Sequence, residues 1–505
     1  MLYTMQLAFI GWLCVLITGC SSLFNAPEFS LSNNTEEINT EPHLSPEPTT
    51  IPQHYNEYTV KLDIQPSENL ITGVERIKIF NTSKRVLNKV YINLPLNAFS
   101  EHTEKQPVLD ELFDRVYPQG RDYGYIKINN VYVEGEEVNY GVIDTVLNVD
   151  LPQALPPEER MELKMELEAK IPSINHRTGS DENSMWFGNF MPLLAVCDDE
   201  GWHAEPYYPI GDPFYARTAN FYVSITTPPE YTVVGPGIPL ITDKDDKRTA
   251  EFSSKLIRDF AFAISRLYTV QHITTPSNVE ISLYTFSDNV RKDALLDLAS
   301  RCLEYYSHRV GAYPYSQLII AETKLFIEGG IGYPGVIFID SDYLSATEDF
   351  TSVSQEIGHQ WFYNIIGSNQ IDYAWMDEGL AGFVKEGFLL NDSELDSKMY
   401  EEYTNLQYII TQISPNILNS SLGEFESWSD YYNIHHQRGK LMFHSLYKKI
   451  GKENFNAFLL EYNKRFSFRI AAPKDLMQTA EDVSGKALGE FFNTWINNPI
   501  LPPLQ

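Results

Sequence analysis

A change in hydrophobic period near residue 286 limits this chain to a fold in two parts. Before it, residues 58–64, 73–80 and 90–94 alternate apolar and polar side chains, and the alternation returns at 219–226, 231–234 and 259–265. Successive side chains on a strand point to opposite faces, so a period of two marks strands with one buried face. Gly and Pro separate these runs, which predicts a β-sandwich over residues 54–268. After the apolar run at 281–286 the period lengthens towards 3.6, in residues 288–310, 350–366, 377–390, 439–450 and 452–465. That spacing predicts helices with one buried stripe, in a mainly helical second domain over 269–505. In the 350–366 segment Val353, Ile357, Trp361 and Ile365 form the stripe, and Gly367 is placed to end the helix. The expected fold class is α+β and multidomain: an antiparallel β-sandwich, then helices.

Composition sets further bounds. A chain of 505 residues with 43% hydrophobic content has enough apolar side chain for two large cores. Its formal charge of -30, with no long Lys/Arg run, speaks against a nucleic-acid partner, because phosphate binding needs a basic face. Residues 1–19 carry no charged side chain, and the apolar stretch 7–17 is too short to cross a bilayer comfortably. It leads into Ile17-Thr18-Gly19-Cys20-Ser21-Ser22, which resembles a bacterial lipoprotein box, although no basic residue precedes it. The resemblance implies a signal peptide at 1–19, lipidation at Cys20 and an extracytoplasmic protein tethered to a bacterial cell membrane. An ordinary cysteine near a plain signal or an uncleaved anchor is the other reading. Residues 20–53, rich in Pro, Ser, Thr, Asn and Glu, read as a flexible stalk, because they hold too little apolar surface to offset ordering entropy. With Cys14 removed and Cys20 lipidated, Cys197 and Cys302 would remain, enough for one disulfide without establishing it.

Chemistry concentrates around residue 356. The segment reads Ser354-Gln355-Glu356-Ile357-Gly358-His359-Gln360-Trp361-Phe362, and eighteen residues separate His359 from Glu378 in Trp375-Met376-Asp377-Glu378-Gly379-Leu380-Ala381. Upstream stands Glu328-Gly329-Gly330-Ile331-Gly332-Tyr333-Pro334-Gly335. Together these resemble the aminopeptidase N-like (membrane alanyl aminopeptidase) family of gluzincin zinc metallopeptidases. Gly201-Trp202, the 209–213 block, the 258–262 block, Tyr313-Pro314-Tyr315 and residues 483–495 extend the resemblance over about 54–500. The chain stops where larger relatives would add carboxy-terminal helical repeats. The family implies a thermolysin-like second domain, zinc as cofactor, His359 and Glu378 as metal ligands and Glu356 as general base. Gly329, Gly330, Ile331, Gly332 and Tyr333 would line the substrate cleft, with peptides or proteins as its occupants.

Three positions depart from that pattern. Gln355 stands where the first zinc histidine belongs, and an amide oxygen is a poorer donor to zinc than imidazole. Gly332 replaces the glutamate that pairs with a substrate's α-amine, with Glu328 nearby. His436 stands three residues before Gly439, where the family places the tyrosine that stabilises the oxyanion; Tyr431 and Tyr432 lie close in sequence. Weak or absent zinc and impaired or absent peptide hydrolysis are expected, leaving a peptide- or protein-binding module on a lipid anchor. A working metallo(amino)peptidase with Glu356 as base would need His436 to serve as the replacement nitrogen ligand. An accessory lipoprotein of a membrane complex is the third reading.

Overall fold

The computed structural model describes residues 54–504 apart from 104, 288–289, 348 and 413–414. The expected signal peptide, the stalk and Cys20 therefore lie outside the described residues.

Strands dominate the first part. An eight-stranded sheet runs in the order Leu240–Lys244, Lys247–Ile257, Ala219–Thr227, Asn56–Gln65, Leu70–Phe80, Arg160–Lys170, Tyr125–Val133 and Glu136–Glu137. The alternation seen in sequence is the buried face of this sheet: Tyr58, Val60, Leu62 and Ile64 all point into one core. Two four-stranded sheets, one built on Leu87–Asn93 and Val146–Leu155 and the other on Ser184–Phe187 and Phe262–Ser265, and a two-stranded pair, Val196–Cys197 with Trp202–His203, accompany it. The eight-stranded sheet is antiparallel except at one pair, where Asn56–Gln65 runs parallel to Ala219–Thr227. A parallel pair needs a long crossover, and the intervening chain supplies one by building the other strands.

The second part opens on five more strands, in the order Thr269–Thr274, Glu280–Thr285, Gln317–Thr323, Val336–Asp340 and Gly330–Tyr333. Helices follow, among them Thr351–Gly358, Trp375–Leu389, Asp392–Ile409, Gly439–Ile450 and Lys452–Phe466. Trp361, Trp375, Tyr306 and Leu380 are buried in their core. A separate cluster holding Trp186, Ala263, Tyr333 and Phe338 joins the strands of the two parts, and it fixes the edge strand Gly330–Tyr333 from behind. Cys197 and Cys302 are both free thiols, buried in different cores.

The helix expected over 350–366 is shorter. It spans Thr351–Gly358, with His359 as its C-cap, and Gly367 lies in a two-residue strand rather than at a helix end. The apolar stripe is buried as expected, including Trp361 and Ile365 beyond the helix. Past Gly358 the N–H groups of Asn364, Ile365 and Ile366 bond five residues back, to the carbonyls of His359, Gln360 and Trp361, so the α-helical ladder is lost, and the turn that follows is braced by Arg258. Its buried guanidinium takes hydrogen bonds to the carbonyls of Tyr363 at 2.7 Å, Asn364 at 3.1 Å and Ile365 at 3.3 Å, and Tyr363 adopts φ +100°.

His176 gives the fold a pH dependence. The ring is buried between Phe99 and Phe326, with centroid separations of 4.8 and 4.6 Å, and burial pushes its pKa well below 6.5. Below pH 6.5 the unfolded chain takes up a proton that the folded ring refuses, so stability falls as the solution is acidified. The slope for one such group approaches about 1.4 kcal/mol per pH unit. Urea melts between pH 7 and about pH 5 are expected to show a shallower loss for His176→Phe than for the native chain. Equal slopes would show that the ring is protonated in the folded state.

Candidate functional site

Four segments bring the candidate residues together. The Thr351–Gly358 helix carries Gln355 and Glu356 and delivers His359 at its end. Glu378 sits in the first turn of Trp375–Leu389, where the helix dipole favours a carboxylate. That helix meets Gly439–Ile450 at a pair of glycines: a Cβ on Gly379 would lie 2.7 Å from the Gly439 carbonyl carbon. The close approach brings the preceding π-helical turn, Tyr432–Arg438, beside Glu378. The fourth segment is the edge strand Gly330–Tyr333.

Three nitrogens converge on one oxygen, Oε2 of Glu378. His436 Nδ1 lies 3.1 Å from it, His359 Nε2 3.4 Å, and the Gln355 amide donates to it at 3.4 Å. On its other side Gln355 accepts from the Lys385 ammonium through Oε1, at 3.4 Å. Glu356 faces the edge strand, where the Gly332 N–H donates to Oε2 at 2.8 Å. Burial raises the Glu356 carboxyl to about 7, so it can hold or accept a proton near neutrality. Burial opposes charge on His359, but the Glu378 carboxylate outweighs it and lifts the imidazole to about 10. Burial likewise opposes ionisation of Glu378, yet His436 and His359 hold it well below the ordinary carboxylate range. His436, for which desolvation prevails, is lowered. The cluster thus pairs the His359 imidazolium with the Glu378 carboxylate, and the His436 ring lies alongside.

These groups line a cleft with about 100 Å³ of room for water-sized molecules. Gly330, Ile331, Gly332 and Tyr333 form one wall; Gly329, at φ +108°, lies in the turn before them and is not part of it. Glu328 does not stand in for the missing glutamate, because its exposed side chain faces Arg115 at 3.5 Å. Tyr431 does reach the cleft, and its buried hydroxyl has no hydrogen-bond partner. Tyr432 is exposed.

Several wall residues escaped the sequence reading. Arg177 and Asp212 form an ion pair there, supplied by the sheet-rich part. Burial pushes the Asp212 carboxyl up against the pull of Arg177. Lys385 had a legible signal, since it stands seven residues after Glu378 and thus two turns along the same helix face. Arg177 had none.

Comparison with known proteins shows what this chain is similar to. Residues 294–495 match the Peptidase family M1 domain. Aminopeptidase M1-D of Oryza sativa subsp. japonica is 23% identical over 60% of this chain and 37% of its own length, and aminopeptidase N of Lactococcus lactis subsp. lactis is 24% identical over 42% and 27%. The crystal structure of an M1 zinc metallopeptidase from Deinococcus radiodurans matches with a TM-score of 0.66 at 16% identity, covering 90% of this chain and 97% of that one. Residues 294–495 carry a Peptidase family M1 domain, and the chain is similar to aminopeptidase N-like M1 proteins. It spans about a third of the length of the curated relatives it matches, and nearly all of the two-part Deinococcus fold. A second structure from that organism, with a TM-score of 0.64 at 16% identity, covers 90% of this chain and 97% of that one and is described as bound to a Tyr-Ser-Ala substrate.

The match to an M1 domain implies zinc, and the donor set can be tested against it. Zinc sites of the catalytic kind use three protein donors around a shared point. Here one donor is an amide already engaged by an ammonium, and the two imidazoles are turned onto a single Glu378 oxygen. Among the described residues no group of three or more His, Cys, Asp or Glu side chains is placed to hold a metal ion. As arranged, the residues do not fit the family's centre.

Proposed function

We propose that this M1 chain keeps a peptide-receiving cleft but hydrolyses peptides weakly or not at all, and acts by holding peptides or proteins. One observation carries the reading. The Gln355 amide, bridging Glu378 and Lys385, fills the position of a metal ligand with a hydrogen-bonded structural group. The Lys385 ammonium beside it adds a positive charge that disfavours a divalent cation. Peptide binding is supported by the edge strand Gly330–Tyr333, which borders the cleft and leaves one edge for an extended chain to align along. The Deinococcus relative described with Tyr-Ser-Ala points to the same class of occupant.

A second reading rests on a single contact, His436 Nδ1 at 3.1 Å from Glu378. In it, His359, Glu378 and His436 turn away from one another and together hold a metal, with His436 replacing the missing histidine. Measurement separates the two. Purified native protein is expected to contain far less than one zinc per chain and to release no product from aminoacyl p-nitroanilides in a chelator-sensitive manner. Stoichiometric zinc that His436→Phe removes would establish the second reading, and chelator-sensitive turnover by the native chain would end the first.

A further inference from the structure

The charged side chains that line the cleft already have partners within the protein. Arg177 is paired with Asp212, and His359 with Glu378, which also meets His436 and the Gln355 amide. Glu356 accepts the Gly332 N–H at 2.8 Å, and the Tyr333 hydroxyl faces Arg177. Three neutral groups beside them are unpaired: the Tyr431 hydroxyl, Asn189 Oδ1 and Gln370 Oε1 line the same cleft and have no hydrogen-bond partner. Their residues are only 1, 6 and 3% exposed, so bulk solvent does not compensate them. Buried polar groups left without a partner are costly, and three around one cleft mark where a ligand's polar atoms belong.

Each of the three is held in its orientation. Asn189 gives its amide N–H to Asp259 at 2.9 Å and Gln370 gives its own to Asp377 at 2.5 Å, so in both amides the carbonyl oxygen is the end left over. Tyr431 is wedged among rings, with centroids of His435 at 5.2 Å, Trp428 and His436 at 5.4 Å and Phe425 at 5.8 Å. Its edge lies against Gly211, at φ +65°, where a Cβ would come within 2.9 Å of Cε2 and Cζ. The π-helical turn Tyr432–Arg438 follows directly, and its five-residue repeat sets Tyr431 and His436 on one face. Burial pushes the phenol well above its ordinary pKa, so the hydroxyl stays a donor.

The unused capacity is one O–H donor and two neutral carbonyl acceptors, the complement of an amide unit with its C=O and N–H groups. A charged end would have to break the Arg177–Asp212 or His359–Glu378 pair to gain a counter-ion, and Gly332 offers none. We infer that the cleft recognises a neutral amide unit of its ligand rather than a charged end, with the Tyr431 hydroxyl donating to the ligand carbonyl and the side-chain oxygens of Asn189 and Gln370 accepting its N–H groups. The inference rests on the reading of the cleft as a peptide site and narrows its ligands: a blocked or internal segment is held as well as a free amino terminus.

The test compares Leu-Gly-Gly amide with its N-acetyl form by titration calorimetry on the full chain, in added salt so that the formal charge of -30 does not favour the cationic peptide. The two affinities are expected to differ by less than about tenfold, a margin that loss of a charge-assisted bond would exceed. Tyr431→Phe removes one oxygen; it should weaken both peptides by about tenfold and raise the urea midpoint, because it deletes an unsatisfied buried hydroxyl. The acetyl comparison needs no variant and stands if Tyr431→Phe fails to fold. A free-amine form tighter by about tenfold or more, or a folded Tyr431→Phe that binds both peptides as the native chain does, would overturn the inference and leave the cleft a peptide site. A lower midpoint for Tyr431→Phe would give the hydroxyl a structural partner and overturn it too. Binding of neither peptide by the native chain would overturn the reading of the cleft itself, and this inference with it.

Discussion

Replacing Gln355 by histidine is expected to tighten zinc binding by about a hundredfold or more, because the exchange gives a borderline-soft cation an imidazole in place of an amide. Three groups now satisfy Glu378 through one oxygen, and Gln355 is the only one of them that also bonds to a cation, Lys385. A histidine there cannot accept from Lys385 and bind metal through the same nitrogen, so the ammonium is left beside the new site. Gln355→His combined with Lys385→Met should therefore bind more tightly than Gln355→His alone, since it removes a like charge from the neighbourhood of the metal. Competition against a chromogenic chelator measures both steps. Native protein that already binds as tightly as Gln355→His would show that the amide is no obstacle.

Restoring the amine-binding glutamate at Gly332 is expected to fail as a single change. A Cβ at that position would lie 2.9 Å from the Glu356 carbonyl oxygen, 3.4 Å from Glu356 Oε2 and 3.4 Å from His359 Cβ. The first neighbour is backbone and cannot swing aside, so the edge strand or the Thr351–Gly358 helix would have to move. Strain of this kind costs about 1–3 kcal/mol. The new carboxylate would also stand beside Glu356, which already accepts the Gly332 N–H at 2.8 Å. Gly332→Glu should lower the urea midpoint at unchanged m-value and add no turnover, and Gly332→Ala should account for most of the stability loss. A Gly332→Glu protein as stable as the native chain would mean that strand and helix adjust freely.

Much of this architecture was legible in the amino-acid order, and the parts that were not share a cause. Alternation in residues 58–64 and 73–80 gave the strands because a one-sided core leaves a period-two mark on each strand separately. Gln355, Glu356, His359, Glu378 and His436 do meet in one cleft, since a helix and a fixed spacing carry local geometry with them. What local pattern cannot carry is a partner supplied from far along the chain. Arg258 braces the turn after the Thr351–Gly358 helix, Asn56–Gln65 paired in parallel with a distant strand, and Arg177 entered the cleft from the sheet-rich part. Lys385 was readable in principle from its two-turn spacing to Glu378, but its meaning depended on Gln355 accepting from it.

The parallel pairing has a kinetic consequence. Asn56–Gln65 sits inside the eight-stranded sheet, yet its neighbour Ala219–Thr227 is made about 160 residues later. A chain emerging from a ribosome or a translocation pore thus holds a half-finished ledge of unpaired N–H and C=O groups until roughly the two-hundred-and-twentieth residue appears. During that interval the hairpin to Leu70–Phe80 is the only shelter the first strand has on either side, so chaperone demand should concentrate on the growing amino-terminal half.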